Sequence, residues 1–163
     1  MGLDITALGK AARQEIDTED DEAIDDAYDR GLVDVWVNES FAEQADGLAS
    51  GFYASDEMMG FSAGSYSGYN RWREWLSETM LGQPPEKIWE CPSLAAGLPF
   101  TELINFADNE GIIGPTTSAK LARDFEANNL AAHKTGKTYF IEIYNNFRKA
   151  FEMASDDGLV QFH

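Results

Sequence analysis

A single cysteine, Cys91, stands among 163 residues, which excludes an internal disulfide and a thiolate metal cluster. Histidine is nearly as scarce, with only His133 and His163. A zinc site would need acids to complete it. His133, beside Lys134 near a predicted helix end, reads instead as a cation that complements a helix dipole. No cofactor is expected. Uninterrupted apolar runs last only a few residues, far short of the ~20 that span a bilayer. The opening MGLDITALGKAARQE has acids early and lacks a charged-then-apolar layout, so secretion is not expected and a cytoplasmic location is. Its Met-Gly start meets the myristoylation pattern through Thr6 alone, and so short a match carries little weight. Positive charge is the last scarcity: 12 Lys and Arg face 29 Asp and Glu, for a net −17. Such a field repels nucleic acid and anionic membrane, so neither is an expected partner, and it attracts basic protein surfaces.

What is present suffices for a core, with 44% apolar and 12% aromatic residues in a length that suits one domain, 1–163. The charge is uneven. Residues 1–60 hold 16 acids against 3 bases, and residues 61–163 hold 13 against 9. Within the first part, EIDTEDDEAIDDAYD (Glu15–Asp29) has nine acids and no base. Its Asp17, Asp20, Asp21, Asp25 and Asp26 are candidate contacts for a basic partner. No register supplies the oxygen spacing and glycine of a calcium loop. Ala23, Ile24, Ala27 and Tyr28 recur at helical spacing, so residues 15–30 read as an acidic surface insertion, a loop or a short helix.

Alternation predicts strands at LDITAL (Leu3–Leu8) and LVDVWVN (Leu32–Asn38), the second with Val33, Val35 and Val37 on one face and Leu32, Asp34 and Trp36 on the other. GFYAS and MMGFSAG around Asp56-Glu57 suggest a hairpin, although the turn signal is absent. From Ser67, a candidate cap, the period becomes helical through Tyr69, Trp72, Leu76 and Met80, and Gly82 ends it. QPPEKIWECPSLAAGLP reads as a long, proline-punctuated connection that holds at most a short strand at Lys87–Trp89. FTELINFADN predicts a helix with Phe100, Leu103, Ile104 and Ala107 inward, broken by EGIIGP. Gly114 and Pro115 open another helix that stops at Gly136. Phe140, Ile143, Tyr144, Phe147, Phe151 and Ala154 mark the last helix, with Gly158 suited to a left-handed cap and LVQFH to a final strand. The class is α+β: a small antiparallel sheet from the N-terminal part, with a possible C-terminal strand, packed against about four helices.

No catalytic motif survives. GSYSG has Tyr66 where a nucleophile elbow needs serine. KTGKT has Ala131 where a phosphate loop needs glycine, and follows a helix rather than a strand, so it reads as a turn between helices. Two stretches keep a double reading. AGSYSGYNRWREWL, with Ser65, Tyr66, Ser67, Tyr69, Asn70 and Arg71, is a strand-to-helix connector or the wall of a polar-aromatic cleft, its arginines paired to acids in the first case and orienting a ligand in the second. INFADNEG, with Asn105, Asp108 and Glu110, is a set of helix caps or a source of acid–base groups.

Together, GSYSGYNRWREWL, PFTELINFADNEGIIGP, AKLARDF and FRKAFEMASDDGLVQFH resemble a family of uncharacterised proteins from bacteriophages, prophages and bacterial genomes, whose members often also begin MGLDI. The similarity covers most of the chain outside Glu15–Asp29. It brings no activity, cofactor or catalytic residue, and implies an accessory role in the bacterial cytoplasm. Two functions follow as expectations: protein binding through the acidic surface, with DNA mimicry its extreme form, or a small-molecule site or enzyme where the Ser65–Trp72 and Asn105–Glu110 stretches meet.

Overall fold

The computed structural model describes residues 2–91, 97–106 and 111–163. Strands β1 (Asp4–Gly9) and β2 (Ala12–Gln14) are two halves of one bent segment, with Lys10 at the corner in a left-handed conformation, φ 49°. Strands β4 (Gly51–Ala54) and β5 (Glu57–Ser62) bend likewise around Ser55. β5 pairs with β1 and β4 with β2, both antiparallel, so one ribbon passes from a four-stranded sheet into a three-stranded one. The Ser55 hydroxyl donates to the Gly9 and Glu57 carbonyls and so fixes the corner. The expected hairpin is thereby corrected. GFYAS and MMGFSAG are strands, but each pairs with a half of β1–β2, because Asp56-Glu57 lacks the chemistry of a tight reversal.

With β3 (Val33–Val35), β6 (Gly111–Ile113) and β7 (Leu159–Phe162), the sheet orders are β5-β1-β7-β6 and β2-β4-β3. The class is α+β as expected, with two sheets where one was foreseen. β6 lies in the stretch read as a helix breaker; it is three residues long and entirely buried. The expected final strand is present as β7, inside the sheet between β1 and β6.

The helices among the described residues are α1 (Asp21–Asp29), α2 (Tyr66–Leu81), α3 (Pro85–Glu90), α4 (Thr101–Ile104), α5 (Pro115–Lys134) and α6 (Thr138–Ala154), with a 3₁₀ segment at Glu39–Ala45. Ser65, not Ser67, caps α2: its side chain accepts from the Gly68 N–H at 3.1 Å, and Ser67 bonds to Ser65. Lys87–Trp89 is helical rather than a strand, because Pro85 starts a turn with its φ already set and Ile88 reaches the core. The left-handed residue after α6 is Asp157, φ 49°, not Gly158. Gly158 is required for a different reason: a Cβ there would overlap the Leu8 carbonyl oxygen. Ala107 lies outside the described residues.

The main core fills the space between the four-stranded sheet and α2, α5 and α6. Phe147 is its hub, with Trp72 at 4.9 Å, Phe61 at 5.0 Å and Phe162 at 5.9 Å between ring centroids. A second cluster of Leu8, Val35, Tyr53, Ile112 and Leu159 joins the two sheets. A third, Ala27, Leu32 and Phe52, lies under α1.

Candidate functional sites

The alternation in β3 acts as predicted. Val33, Val35 and Val37 join the inter-sheet cluster, which leaves Asp34 and Trp36 on the outer face of the three-stranded sheet. Helix α1 lies across part of that face through Ala27, fully buried against Leu32 and Phe52. The Tyr28 ring meets Phe52 edge-on at 5.4 Å, and its hydroxyl donates to Asp34 at 3.5 Å. Desolvation first, and the Asp34 carboxylate second, push the Tyr28 hydroxyl above its ordinary pKa. Beside α1 runs a groove of about 430 Å³, bounded by Arg13, Glu15, Ile16, Asp34, Trp36 and Phe52. Trp36 is 47% exposed and Tyr28 53%. Two large rings are thus left in water at the edge of a strongly anionic element.

The five predicted acidic contacts divide. Asp20 is the N-cap of α1 and accepts from the Glu22 N–H at 3.0 Å; Asp17 accepts from the Glu19 N–H at 3.0 Å. Both shape their own backbone. Asp21, Asp25 and Asp26 are exposed on α1, and Asp26 makes an exposed pair with Arg30 at 3.4 Å, worth little in water. Arg13 reaches over Gly51 to the Ser50 carbonyl and pairs with Glu15. Sequence reasoning missed Trp36 as a site residue, although the strand alternation already placed it opposite the valines.

The second candidate lies on α2. Tyr69 is buried, Tyr66 half-buried, and Ser65, Ser67, Asn70 and Arg71 exposed. The residue that leaves this helix for the other stretch is Arg73, only 8% exposed. Its guanidinium donates to the Ile104 and Phe106 carbonyls at 2.9 and 2.6 Å and to the Asn70 side-chain oxygen at 2.5 Å. It also lies over the rings of Tyr69 and Trp89, 5.2 and 5.8 Å from their centroids. The two stretches are therefore neighbours around residues 104–106. Asn105 is exposed at the end of α4, and Asp108 and Glu110 lie outside the described residues.

The ion pairs expected of Arg71 and Arg73 are not found among the described residues: no carboxylate there pairs with either. The two terminal nitrogens of Arg73 donate to carbonyls and an amide, while its buried Nε has no partner there. Helical phase could have flagged it, because Arg73 stands four residues after the buried Tyr69 and three before the buried Leu76, whereas Arg71 lies between stripes. A pocket of about 310 Å³ opens here, lined by Asn70, Arg71, Arg73, Glu74, Glu86 and Trp89.

KTGKT is the turn between α5 and α6, as read. His133 bonds to the Asn129 carbonyl in the last turn of α5, and His163 to the Thr6 hydroxyl. No group of three or more His, Cys, Asp or Glu able to hold a metal occurs among the described residues, and no described helix is long and apolar enough to cross a membrane. No protein-family model, curated protein or solved structure matches the chain.

Proposed function

We propose that this is a protein-binding accessory module that receives a basic segment of a partner protein in the groove beside α1. The observation that carries the reading is Trp36, 47% exposed in the wall of a groove that also holds Glu15, Asp34 and Arg13 and lies next to the acidic helix α1. Tryptophan is among the residues that most often dominate binding energy once desolvated, and the acids would steer a cationic segment toward it. DNA mimicry is the less favoured form. Nine helical residues span roughly 13 Å, well short of the ~34 Å of one duplex turn. A lysine- or arginine-rich peptide with interspersed apolar residues fits the groove better. The phrase resemblance to phage and prophage proteins adds the setting proposed here, the cytoplasm of a bacterial host.

The test uses a synthetic peptide alternating arginine with leucine and its glutamate counterpart, titrated at low and high salt. The arginine peptide binds, weakens with salt, and loses about tenfold in affinity with Trp36→Ala; the glutamate peptide does not bind. Equal binding by Trp36→Ala and by Asp21→Asn/Asp25→Asn/Asp26→Asn overturns the reading. Point substitutions are preferable to deleting Glu15–Asp29, since α1 covers Leu32 and Phe52.

A second reading, a small anionic ligand in the α2–α3 pocket, is favoured by one observation: the buried Arg73 guanidinium in its wall meets only neutral acceptors among the described residues. A thermal-shift screen of small carboxylates and phosphates on wild type and Arg71→Ala separates the two. Stabilisation lost with Arg71→Ala supports the pocket, and no shift by any anion removes it.

A further inference from the structure

We infer that β5 is a self-pairing edge through which two copies of this chain join their four-stranded sheets. β5 ends that sheet and, among the described residues, pairs only with β1. The Ala63 N–H donates to the Leu3 carbonyl, while Asp4 and His163 exchange both their backbone bonds. Antiparallel pairing alternates, so odd residues of β1 bond to β5 and even ones to β7. With Asp4 opposite Ser62 and Thr6 opposite Gly60, the N–H and C=O groups of Met58, Gly60 and Ser62 point away from the sheet. Most natural edges carry a lysine, a proline, a bulge or a covering element. EMMGFS holds no lysine or proline, and its pairing with β1 is unbroken from Glu57 to Ser62; its one charge, Glu57, is already paired with Lys10 at 3.0 Å.

The occupant that fits is the same strand, reversed. A two-fold axis at Gly60 sets Gly60 against Gly60, Met58 against Ser62, and Met59 against Phe61 of the other copy. This register uses all three outward residues of both strands. It places half-buried Met59 and Phe61, which already pack on the main core, beside their counterparts as a thioether–aromatic pair. Glu57 falls opposite Ala63, so no like charges meet. Met58, 61% exposed, gains a neighbour across the seam. Opposing the dimer is the net charge of −17 on each copy, which salt screens over about 8 Å at physiological strength. This self-association should therefore tighten with salt, whereas the docking of a basic segment should weaken.

Sedimentation over a concentration series gives a species of twice the 18.1 kDa chain mass, with a dissociation constant lower by about threefold or more at high salt than at low. Gly60→Pro removes the outward N–H on the axis without touching a bond to β1, and returns the monomer with an unchanged circular dichroism spectrum. Gly60→Cys is tolerated sterically, since a Cβ there meets only the Ile5 carbonyl at 3.6 Å. On a Cys91→Ser background it links two chains with a short bismaleimide at least tenfold faster than Ser40→Cys, the Cα atoms of such a pair being about 5.5 Å apart. A monomer at every concentration and salt, a folded Gly60→Pro that still dimerises, or equal linking of the two cysteines overturns the inference. Should Gly60→Pro fail to fold, the linking rates decide.

Discussion

Arg73 on α2 and Phe106 beyond α4 are joined by a 2.6 Å hydrogen bond from guanidinium to carbonyl, so a buried cation ties the end of α4 to the middle of another helix. The Ile104 carbonyl also receives the Trp89 indole at 3.2 Å, but among the described residues the Phe106 carbonyl accepts from Arg73 alone. Replacing Arg73 by methionine keeps much of the volume and strands that carbonyl. The expected loss is about 1.5–3 kcal/mol in urea unfolding, the range for hydrogen bonds to a charged group. A wild-type midpoint in Arg73→Met would show that the tie contributes nothing.

Gly158 predicts a second effect. Its Cα lies against the Leu8 carbonyl, with the Ala154 Cα 2.8 Å from where a Cβ would stand. Both neighbours are backbone, so neither can swing aside. Gly158→Ala should cost about 1–3 kcal/mol by pushing α6 and β7 off β1, read as a lower melting temperature. Gly136→Ala offers the contrast: nothing lies within 4 Å there and the strain comes only from φ +67°.

The two glycines also show how far the sequence could be read. Periodicity located α2, α5 and α6 because each buries one stripe, and a stripe is a local pattern. The apolar LVQFH suggested β7 but not its place inside the sheet, which depends on β1 at the other end of the chain as well as on β6. β6 was missed because a three-residue buried strand, Gly111–Ile113, is too short to show a period. The corner at Ser55 was misread as a hairpin because local sequence shows where a chain bends, not which strand it meets. At the candidate sites, Arg73 and Trp36 were legible in phase and were outweighed by their polarity or by an expectation of packing.

Asp46 predicts the third effect. Its carboxylate accepts from the Thr117 N–H at 2.8 Å and from the Thr117 hydroxyl at 3.3 Å. It supplies from a distant loop the cap that Gly114 cannot give to α5. Asp46→Ala should destabilise by about 1–2 kcal/mol, and Asp46→Asn by less, since the amide oxygen can still accept. Equal losses would show that the charge of the carboxylate, and not an acceptor oxygen alone, holds the start of α5.

Tyr144 predicts a pH effect. It is fully buried, and its hydroxyl donates to the Phe125 carbonyl at 2.6 Å. Burial pushes its folded pKa far above the ordinary 10.0. The unfolded chain therefore loses this proton first, and the stabilisation, complete below pH 10, falls as pH rises above it. Tyr144→Phe should be less stable near neutrality by about 1 kcal/mol yet lose less than wild type between pH 10 and 11.5. Parallel alkaline limbs in urea melts would refute the assignment.

The bent ribbon and the inner position of β7 together set an order of events. β1 and β5 can meet after about sixty residues have been made, but the sheet stays divided until β7 arrives between β1 and β6. Over most of synthesis β1 therefore has one side unpaired, and contacts that span nearly the whole described chain must close last. High contact order of this kind slows folding and leaves open strand edges exposed meanwhile. Truncation before Leu159 should consequently yield aggregating chains rather than a smaller folded protein.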